Sequence, residues 1–293
     1  MKFNIKKFVI VLACIMAGSF IIAGTVFYFT GGVHAVSVNS SQVKTSKVYL
    51  VEEIESIVVK TIDTKVNIIP VVDKRVDIDF YGNITTNLTE AKPELVTSLE
   101  DGVLTITISY PKTINFGLIN LEKLYLDVYV PNYFNKRIEV ETVSADLEMR
   151  HMTLDYFRFK TISGNLDVNL ISAQNWVLEL TSGNIEARQV EGGINASTIS
   201  GKTAVSLNSL KGDIRVKTVS GEVEISLPDE SQFDFELNSI SGDIKNEFGA
   251  KISYADKKNI AGSVGDGAFK IIVDTTSGNI SIKKQMKGDN DEG

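Results

Sequence analysis

The sequence has a single cysteine, Cys14, and only two histidines, His34 and His151. One cysteine excludes a disulfide framework within the chain and a metal site built from cysteines. Two histidines exclude a site with several histidine ligands and leave little for histidine-assisted nucleophilic catalysis. We therefore expect no catalytic residue, no metal site and no cofactor site, and we expect that the protein is not an enzyme.

The chain also lacks an excess of basic residues. Lys and Arg number 30 against 37 Asp and Glu, which gives a net charge of -7. A nucleic-acid partner requires a basic face that displaces counterions from phosphates, so we expect no nucleic-acid partner. Hydrophobic residues make up 43% of the chain and charged residues 23%, as in an ordinary globular protein with a sizeable core.

Beyond the first 30 residues, no apolar pattern with the helical period of 3.6 persists for three turns. From residue 48 to about residue 137 the apolar residues alternate with polar ones instead, as in segments 76–80 and 124–130. Turn sequences separate these segments. The pattern predicts an all-β domain.

One long uncharged segment is present at residues 8–29. As a helix it would span about 33 Å, enough to cross the hydrocarbon core of a membrane. Three lysines precede it, so the positive-inside rule places residues 1–7 in the cytoplasm and the C-terminal domain outside the cell. We predict a single-pass anchor in the cell membrane, and the alternative is a signal peptide cleaved after Ala35.

A short phrase recurs in the second half of the chain: Thr, a variable residue, Ser, Gly, then apolar residues at alternate positions. Its Ser-Gly pairs are Ser163 and Gly164, Ser182 and Gly183, Ser200 and Gly201, Ser220 and Gly221, Ser241 and Gly242, and Ser277 and Gly278. A weaker first copy has Ser144 and Ala145. The glycines are 18 to 21 residues apart except for the last interval, which is 36. Such self-similarity is the signature of a repeat architecture.

Apolar residues occupy positions -7, -5, +2 and +4 relative to the corner glycine in nearly every copy. Each pair of positions is one strand with a single buried face, and the two strands meet at the Ser-Gly corner. Glycine permits a bent or left-handed backbone there. The serine hydroxyl can bond the neighbouring backbone or its counterpart in the next copy, which predicts a serine ladder. The alanine of the first copy is what we expect of an edge copy.

Two architectures fit the repeat: a stack with parallel pairing between copies, or an antiparallel meander in which each corner is a hairpin turn. Second turns midway between corners, such as residues 191–193, favour the stack. The predicted fold class is all-β, a β-solenoid or parallel β-helix-like repeat domain behind one N-terminal transmembrane helix. The long interval before Gly278 predicts an extra loop, near residues 246–266, that interrupts the stack.

The chain therefore divides into five predicted parts. They are a cytoplasmic tail at 1–7, a transmembrane anchor at 8–29, a polar tether at 30–47, a β-repeat ectodomain at 48–283 with its Ser-Gly copies at about 138–283, and a flexible tail at 284–293.

Polar residues at +1 and +3, such as Asn165 and Asp167, form stripes on one outer face. These stripes fit a surface that grips an extended polymer, or simply the solvated face of alternating strands. The solvated face is the favoured interpretation, because the charges are mixed in sign and no aromatic residue interleaves them. The same interpretation covers acidic pairs such as Glu222 and Glu224, which otherwise fit glycosidase carboxylates or a calcium site.

The repeated phrase, the strand end at 128–131 and the Gly-Asp-Gly segment at 265–267 resemble a bacterial family of provisionally named adhesins. This family is a domain of unknown function that includes the LiaG-type membrane proteins of cell-envelope stress operons. The resemblance covers about residues 50–283. It implies an extracytoplasmic β-solenoid, often behind one membrane helix, with no catalytic residue to assign.

We accordingly expect a non-catalytic, membrane-anchored, adhesin-like or accessory protein of a bacterial envelope-stress or envelope-maintenance system. Its expected partners are the membrane, through residues 8–29, and a cell-wall polymer or envelope proteins. One alternative is a β-helix that binds or degrades a polysaccharide. Another is a self-assembling scaffold or a sensor.

Overall fold

The computed structural model describes residues 39–86, 92–110 and 119–285. These residues form an all-β structure with one short 3-10 helix, Val51–Glu53. The predicted anchor at 8–29 lies outside the described residues, as do the predicted cytoplasmic tail and residues 286–293 of the predicted flexible tail. No helix within the described ranges is long and apolar enough to cross a membrane.

The described residues contain twenty strands that belong to one open sheet. They are β1 (Asn39–Leu50), β2 (Ser56–Lys60), β3 (Lys65–Val71), β4 (Arg75–Thr86), β5 (Glu94–Glu100), β6 (Val103–Ser109), β7 (Ile119–Pro131), β8 (Arg137–Glu141), β9 (Leu147–Thr161), β10 (Leu166–Ser182), β11 (Ile185–Ser200), β12 (Thr203–Leu207), β13 (Ile214–Ser220), β14 (Val223–Leu227), β15 (Phe233–Ser241), β16 (Ile244–Asn246), β17 (Lys251–Ala255), β18 (Asn259–Val264), β19 (Lys270–Ser277) and β20 (Ile280–Lys284).

The seven copies of the repeat stack in register through parallel pairing. Strands that precede the corners follow one another in the order β8, β9, β10, β11, β13, β19 and β15. Strands that follow the corners are ordered β9, β10, β11, β12, β14, β20 and β16. The corners are therefore bends between two arms of a stacked layer, as the stacked architecture predicts, and they are not hairpin turns.

The apolar columns predicted from the repeat form the core. Phe157 pairs in register with Trp176, and Trp176 with Ile194. The rings of Phe157 and Trp176 meet edge to face with their centroids 5.2 Å apart, and both side chains are buried. Burial of each large apolar side chain contributes about 1.5–3 kcal/mol, so the repeated columns are the main source of stability.

The order of the stack differs from the order of the sequence at its C-terminal end. β19 and β20, which flank Gly278, lie between the Gly221 copy and the Gly242 copy. The long interval before Gly278 folds as the hairpin β17–β18, and β18 pairs antiparallel with β15. The predicted loop near 246–266 that interrupts the stack is therefore wrong. This segment covers the end of the stack, and β19 and β20, which follow it in the chain, form the layer next to the last one.

The N-terminal end repeats this arrangement. β2 and β3 lie between β6 and β7 on one side and β8 and β9 on the other, while β5, β4 and β1 add antiparallel strands beyond them. The Ala145 copy is therefore not an edge copy. Its neighbour is an eighth copy at residues 61–64, in which Thr64 occupies the glycine position and Ile57 and Val66 occupy positions -7 and +2.

Both predicted limits of the ectodomain move outward in the structure. Residues 39–47, which the sequence assigned to the tether, belong to β1 and pair with β4. At the other end β20 extends to Lys284, and the Gln285 side chain donates hydrogen bonds to Ser206 Oγ at 2.8 Å and to the Leu207 carbonyl oxygen at 2.7 Å. Residues 284 and 285, assigned to the flexible tail, are thus part of the fold.

The corner glycines are required because neighbouring copies approach closely. A Cβ atom added to Gly164, Gly221 or Gly278 would lie well inside 3.0 Å of a carbonyl oxygen in the adjacent copy. Only Gly183 and Gly201, with φ of 132° and 124°, also adopt a backbone conformation that other residues rarely adopt. Close approach of one backbone to the next is therefore the shared reason for glycine, and left-handed geometry is a second reason at two corners.

We predict that Gly221→Ala lowers the free energy of unfolding by about 3 kcal/mol, because the methyl group would overlap the Gly201 carbonyl. The matched control is Gly249→Ala, since no atom lies within 4 Å of an added Cβ at that residue. Urea denaturation of both variants measures the difference. Equal stability of the two variants would show that close approach does not explain the corner glycines.

Candidate functional site

Buried threonines, rather than the serines beside the corner glycines, connect two pairs of stacked corners. Thr142 Oγ1 donates a hydrogen bond to Thr161 Oγ1, and Thr198 Oγ1 donates one to Thr218 Oγ1, each at 2.8 Å. The buried column at position -3, in stack order, is Thr61, Thr142, Thr161, Leu180, Thr198, Thr218, Thr275 and Ser239.

The predicted serine ladder is wrong. All seven corner serines are exposed, and among the described residues their side chains make a single hydrogen bond, from Ser144 Oγ to the Ile62 carbonyl oxygen at 3.5 Å. The predicted corner residues are nevertheless brought together, because Ser182 pairs in register with Ser200, and Ser200 with Ser220. The serines form an aligned exposed row rather than a bonded ladder.

The polar residues at +1 form a ladder of their own. Asp146 Oδ1 accepts a hydrogen bond from the backbone N–H of Asn165 at 2.8 Å, and Asn165 Oδ1 accepts one from the N–H of Asn184 at 2.9 Å. Asn184 Oδ1 accepts the next, from the N–H of Lys202 at 2.9 Å. These side chains satisfy backbone donors of the adjacent copy, so this polar stripe has a structural role.

An open groove runs along the stacked corners, and its floor is the buried column at -3. We call it the corner groove. One side is an exposed row at position -2, the apolar ridge, made of Ile62, Val143, Ile162, Thr181, Ile199, Val219, Thr276 and Ile240. The other side is a row at position -4, the polar wall, made of Lys60, Glu141, Lys160, Glu179, Ser197, Lys217, Asp274 and Asn238.

The apolar ridge is unusually exposed for branched aliphatic side chains. Ile162 and Ile199 are each 53% accessible, and Ile240 is 69% accessible. The bend of the corner turns position -2 away from the core in every copy, so the exposure repeats from layer to layer. An exposed row in which six of eight positions are branched aliphatic residues is typical of a surface that contacts a partner.

Two cavities lie in the corner groove, one toward each end of the stack. The first has a volume of about 530 Å³ and is lined by residues of five successive layers, with Lys60 in the first and Ile199 in the last. The second has a volume of about 500 Å³ and extends from Lys217 to Thr276, with Lys258 and Asn259 of the end hairpin beside it. Both volumes fall in the range of ligand sites.

Tyr110 bonds the N-terminal end of the buried column at -3 without lining either cavity. Its hydroxyl lies 3.1 Å from Thr61 Oγ1 and 2.7 Å from Thr64 Oγ1, and the backbone N–H of Asp63 donates to it at 3.3 Å. Sequence reasoning missed both Tyr110 and the copy at 61–64. The copy carries a detectable signal, since its apolar residues have the same offsets as those of the other copies.

A second surface that the sequence did not reveal lies on the outer face of β3, β4 and β7. Asp127 is buried there and accepts hydrogen bonds from Asn67 Nδ2 at 2.6 Å and from the Tyr81 hydroxyl at 2.9 Å. Burial and the bond to Asp127 raise the pKa of Tyr81 to about 12. The donors of this cluster are directed at its own carboxylate, so it is a structural element.

At the bend midway between the corners, three residues with a strained backbone form a row, and a carboxylate with several hydrogen bonds lies nearby. His151, Leu170 and Gln189 occupy equivalent positions with φ of 55°, 57° and 51°, a left-handed conformation that is costly for residues other than glycine. Nearby, Glu191 accepts hydrogen bonds from Lys211 Nζ at 2.6 Å and from Ser209 Oγ at 2.7 Å. These two bonds lower the pKa of Glu191.

Of the acidic pair Glu222 and Glu224 considered from the sequence, Glu224 is engaged by neighbouring cations. Glu224 pairs with Lys283 at 3.0 Å and with Lys202 at 3.2 Å, and these contacts, that with Lys283 first, lower the pKa of Glu224. Within the described ranges, no group of three or more His, Cys, Asp or Glu side chains is arranged to hold a metal ion.

The structure thus defines a class of protein: an all-β repeat domain with a long open groove along its stacked corners. The sequence profile of the Toastrack DUF4097 family matches residues 54–283. The chain therefore belongs to this family, a domain of unknown function, which confirms the resemblance to provisionally named adhesins. Among proteins with curated descriptions, none matches the chain.

Several solved structures are similar to this chain. A provisionally assigned adhesin from Bacteroides fragilis is 15% identical, with 83% of this chain and 98% of that chain covered and a TM-score of 0.46. A provisionally assigned cell adhesion protein from Clostridium sporogenes is 16% identical, with coverage of 84% and 100% and a TM-score of 0.38. A provisionally assigned lipid-binding protein from Parabacteroides distasonis is 14% identical, with coverage of 83% and 97% and a TM-score of 0.31. At these identities and TM-scores we draw no functional argument from them.

We predict that Glu191→Gln lowers the free energy of unfolding at pH 7 by about 1 kcal/mol, because the charged acceptor of several hydrogen bonds is lost. The lowered pKa of Glu191 fixes the pH dependence. The stability that its charge contributes is fully present above the unfolded-state pKa, near 4.5, and is lost as the pH falls through the folded-state value.

The measurement is urea denaturation of both proteins between pH 7 and pH 3, where the difference should shrink below about pH 4.5. Glu52→Gln is the control, since Glu52 is exposed and makes no side-chain hydrogen bond or ion pair within the described residues. A Glu191→Gln difference that stays constant down to pH 3 would contradict the assignment.

Proposed function

We propose that this protein is a non-catalytic binding protein of the bacterial cell envelope, anchored in the membrane by residues 8–29, whose corner groove holds an extended cell-wall polymer. The single observation that carries the proposal is the corner groove itself. Its apolar ridge and polar wall continue across eight stacked layers, a length of about 34 Å at 4.8 Å per layer.

The shape of the groove favours a long, narrow partner. Both cavities are open and lie along the same line of corners, so a chain that occupies one can continue into the other. Each layer offers the same pair of walls at the same spacing, and repeated sites along a solenoid suit a partner that is itself repetitive. A linear polymer meets both conditions.

The location remains the one predicted from the sequence. The uncharged segment at residues 8–29 and the three lysines before it favour a single-pass anchor with the described domain outside the cell. There the groove would face the cell wall. Membership of the family and the anchor together are the reasons to place the protein in an envelope-stress or envelope-maintenance system.

We predict that replacing the apolar ridge weakens binding to isolated cell walls. In the triple variant Ile62→Thr, Ile162→Thr and Ile199→Thr, each substitution removes about 1 kcal/mol of apolar contact, so the dissociation constant should rise at least tenfold. Threonine already occupies this row at Thr181 and Thr276, and the fold should therefore tolerate it. Cosedimentation of the detergent-solubilised full chain with cell walls measures the change.

The matched control is Val48→Thr with Val72→Thr, which changes exposed apolar residues outside the groove. Its binding should equal that of the unmodified protein. Absence of sedimentation of the unmodified protein would overturn the proposal. Release of soluble fragments from the walls would favour a polysaccharide-degrading enzyme instead. Concentration-dependent self-association in light scattering without wall binding would favour a scaffold.

A further inference from the structure

The acidic side chains of the polar wall are all engaged. Glu141 and Glu179 both pair with Arg158, at 3.1 Å and 2.8 Å, and Asp274 accepts a hydrogen bond from Asn238 at 2.8 Å. Each of these carboxylates is held by a cation or an amide on the same surface. Arg158 also lies 3.6 Å from Glu139, so it offsets only part of the charge of Glu141 and Glu179, and the neutral Asn238 amide leaves the charge of Asp274 in place.

The lysines of the same wall are in the opposite situation. Lys60, Lys160 and Lys217 are exposed, and within the described ranges none of them forms an ion pair or a side-chain hydrogen bond. Lys258, which lines the second cavity, is also exposed and unpaired within those ranges. Every charged side chain of the corner groove that has neither an ion pair nor a side-chain hydrogen bond within those ranges is thus a lysine, although the chain as a whole carries a net charge of -7.

The register of the sheet fixes the spacing of these lysines. Lys60 pairs with Glu141 and Glu141 with Lys160, so the first two lysines are two layers, or about 9.6 Å, apart. Lys217 lies three layers further along, through Glu179 and Ser197, at about 14 Å. The three ammonium groups therefore form a line parallel to the stack.

The spacing selects the kind of ligand. The Debye length at physiological ionic strength is about 8 Å, so adjacent lysines act almost independently and a single small anion would meet only one of them. Exposed ion pairs are individually weak. A chain that contacts all three lysines at once gains from multivalency, because its later contacts form intramolecularly.

We infer that the corner groove binds a linear polyanion, a polymer with regularly spaced phosphodiester or carboxylate groups. Lys60, Lys160 and Lys217 bind these groups, and the carbon skeleton of the polymer lies on the apolar ridge. This inference rests on the proposed function and names the class of wall polymer. It favours a wall polymer over a single-stranded nucleic acid, because no aromatic residue lines either cavity to stack on a base.

The test uses the full chain in detergent micelles and fluorescence anisotropy with three labelled probes: linear poly(glycerol phosphate), polygalacturonate and, as the neutral polymer, dextran. The unmodified protein should bind the two polyanions and not dextran, and the polyanion affinity should fall as salt is raised. The probe that binds more tightly distinguishes a phosphodiester from a carboxylate polymer. Equal binding of dextran, or no binding of either polyanion, overturns the inference.

Two triple variants with the same change in charge provide the matched comparison. Lys60→Gln, Lys160→Gln and Lys217→Gln should raise the dissociation constant for the preferred polyanion at least tenfold and reduce its salt dependence. The control variant carries Lys44→Gln, Lys47→Gln and Lys251→Gln and should change the dissociation constant less than twofold. These three lysines are exposed, lie outside the groove and make no ion pair or side-chain hydrogen bond in the described ranges. Equal losses in both variants would overturn the inference, as would binding of single-stranded DNA as tight as that of the polyanions.

Cell walls distinguish this inference from the proposed function. The lysine variant should lose binding to intact walls, and walls stripped of their anionic polymers with hydrofluoric acid should lose binding to the unmodified protein. If the unmodified protein binds intact and stripped walls equally well, the proposed function stands and this inference fails. If the unmodified protein does not bind walls at all, the proposed function fails, and the polyanion measurements still decide the chemistry of the groove.

Discussion

The close approach of one backbone to the next at the corners is the constraint on which the rest of the structure depends. At each corner glycine, the position of the missing Cβ is taken by a carbonyl oxygen of the adjacent copy. This approach keeps the parallel strands in register through a sharp bend. Register in turn aligns the buried threonines, the apolar ridge and the polar wall, so the corner groove follows from the same contact that selects glycine.

The two ends of the stack show how the chain protects a long parallel arrangement. At each end a segment close to the terminus in sequence, β2–β3 or β19–β20, lies one layer inside, and a strand pair further from that terminus lies outside it. Antiparallel strands then cover β6, β7 and β15 of the outer layers. β2–β3 and β19–β20 are thereby paired on both sides, which protects them from the fraying expected near a terminus.

The repeat itself predicted the apolar columns, the corner positions and the parallel stacking, because these follow from local spacing. From the sequence, the hydrogen-bonded ladder was assigned to the wrong hydroxyl. Strict alternation along a strand gives the side chains at positions -3 and -1 the same direction. The bend at -2 breaks this alternation, so Ser163 points outward while Thr161 stays buried. The position of the Gly278 copy depends on pairing between distant segments, and an interval of 36 residues fits either order. The corner groove was unpredictable for the same reason: Lys60 and Lys160 are two layers apart in the stack but 100 residues apart in the chain.

The order of the stack is tested most directly by disulfide formation between adjacent corners in a Cys14→Ser background. Neighbouring layers are about 4.8 Å apart, within the range that a disulfide spans, whereas a separation of two layers is too long. Val219→Cys with Thr276→Cys, and Thr276→Cys with Ile240→Cys, should each crosslink on mild oxidation, and Val219→Cys with Ile240→Cys should not. Efficient crosslinking of residues 219 and 240, without that of 219 and 276, would contradict the account.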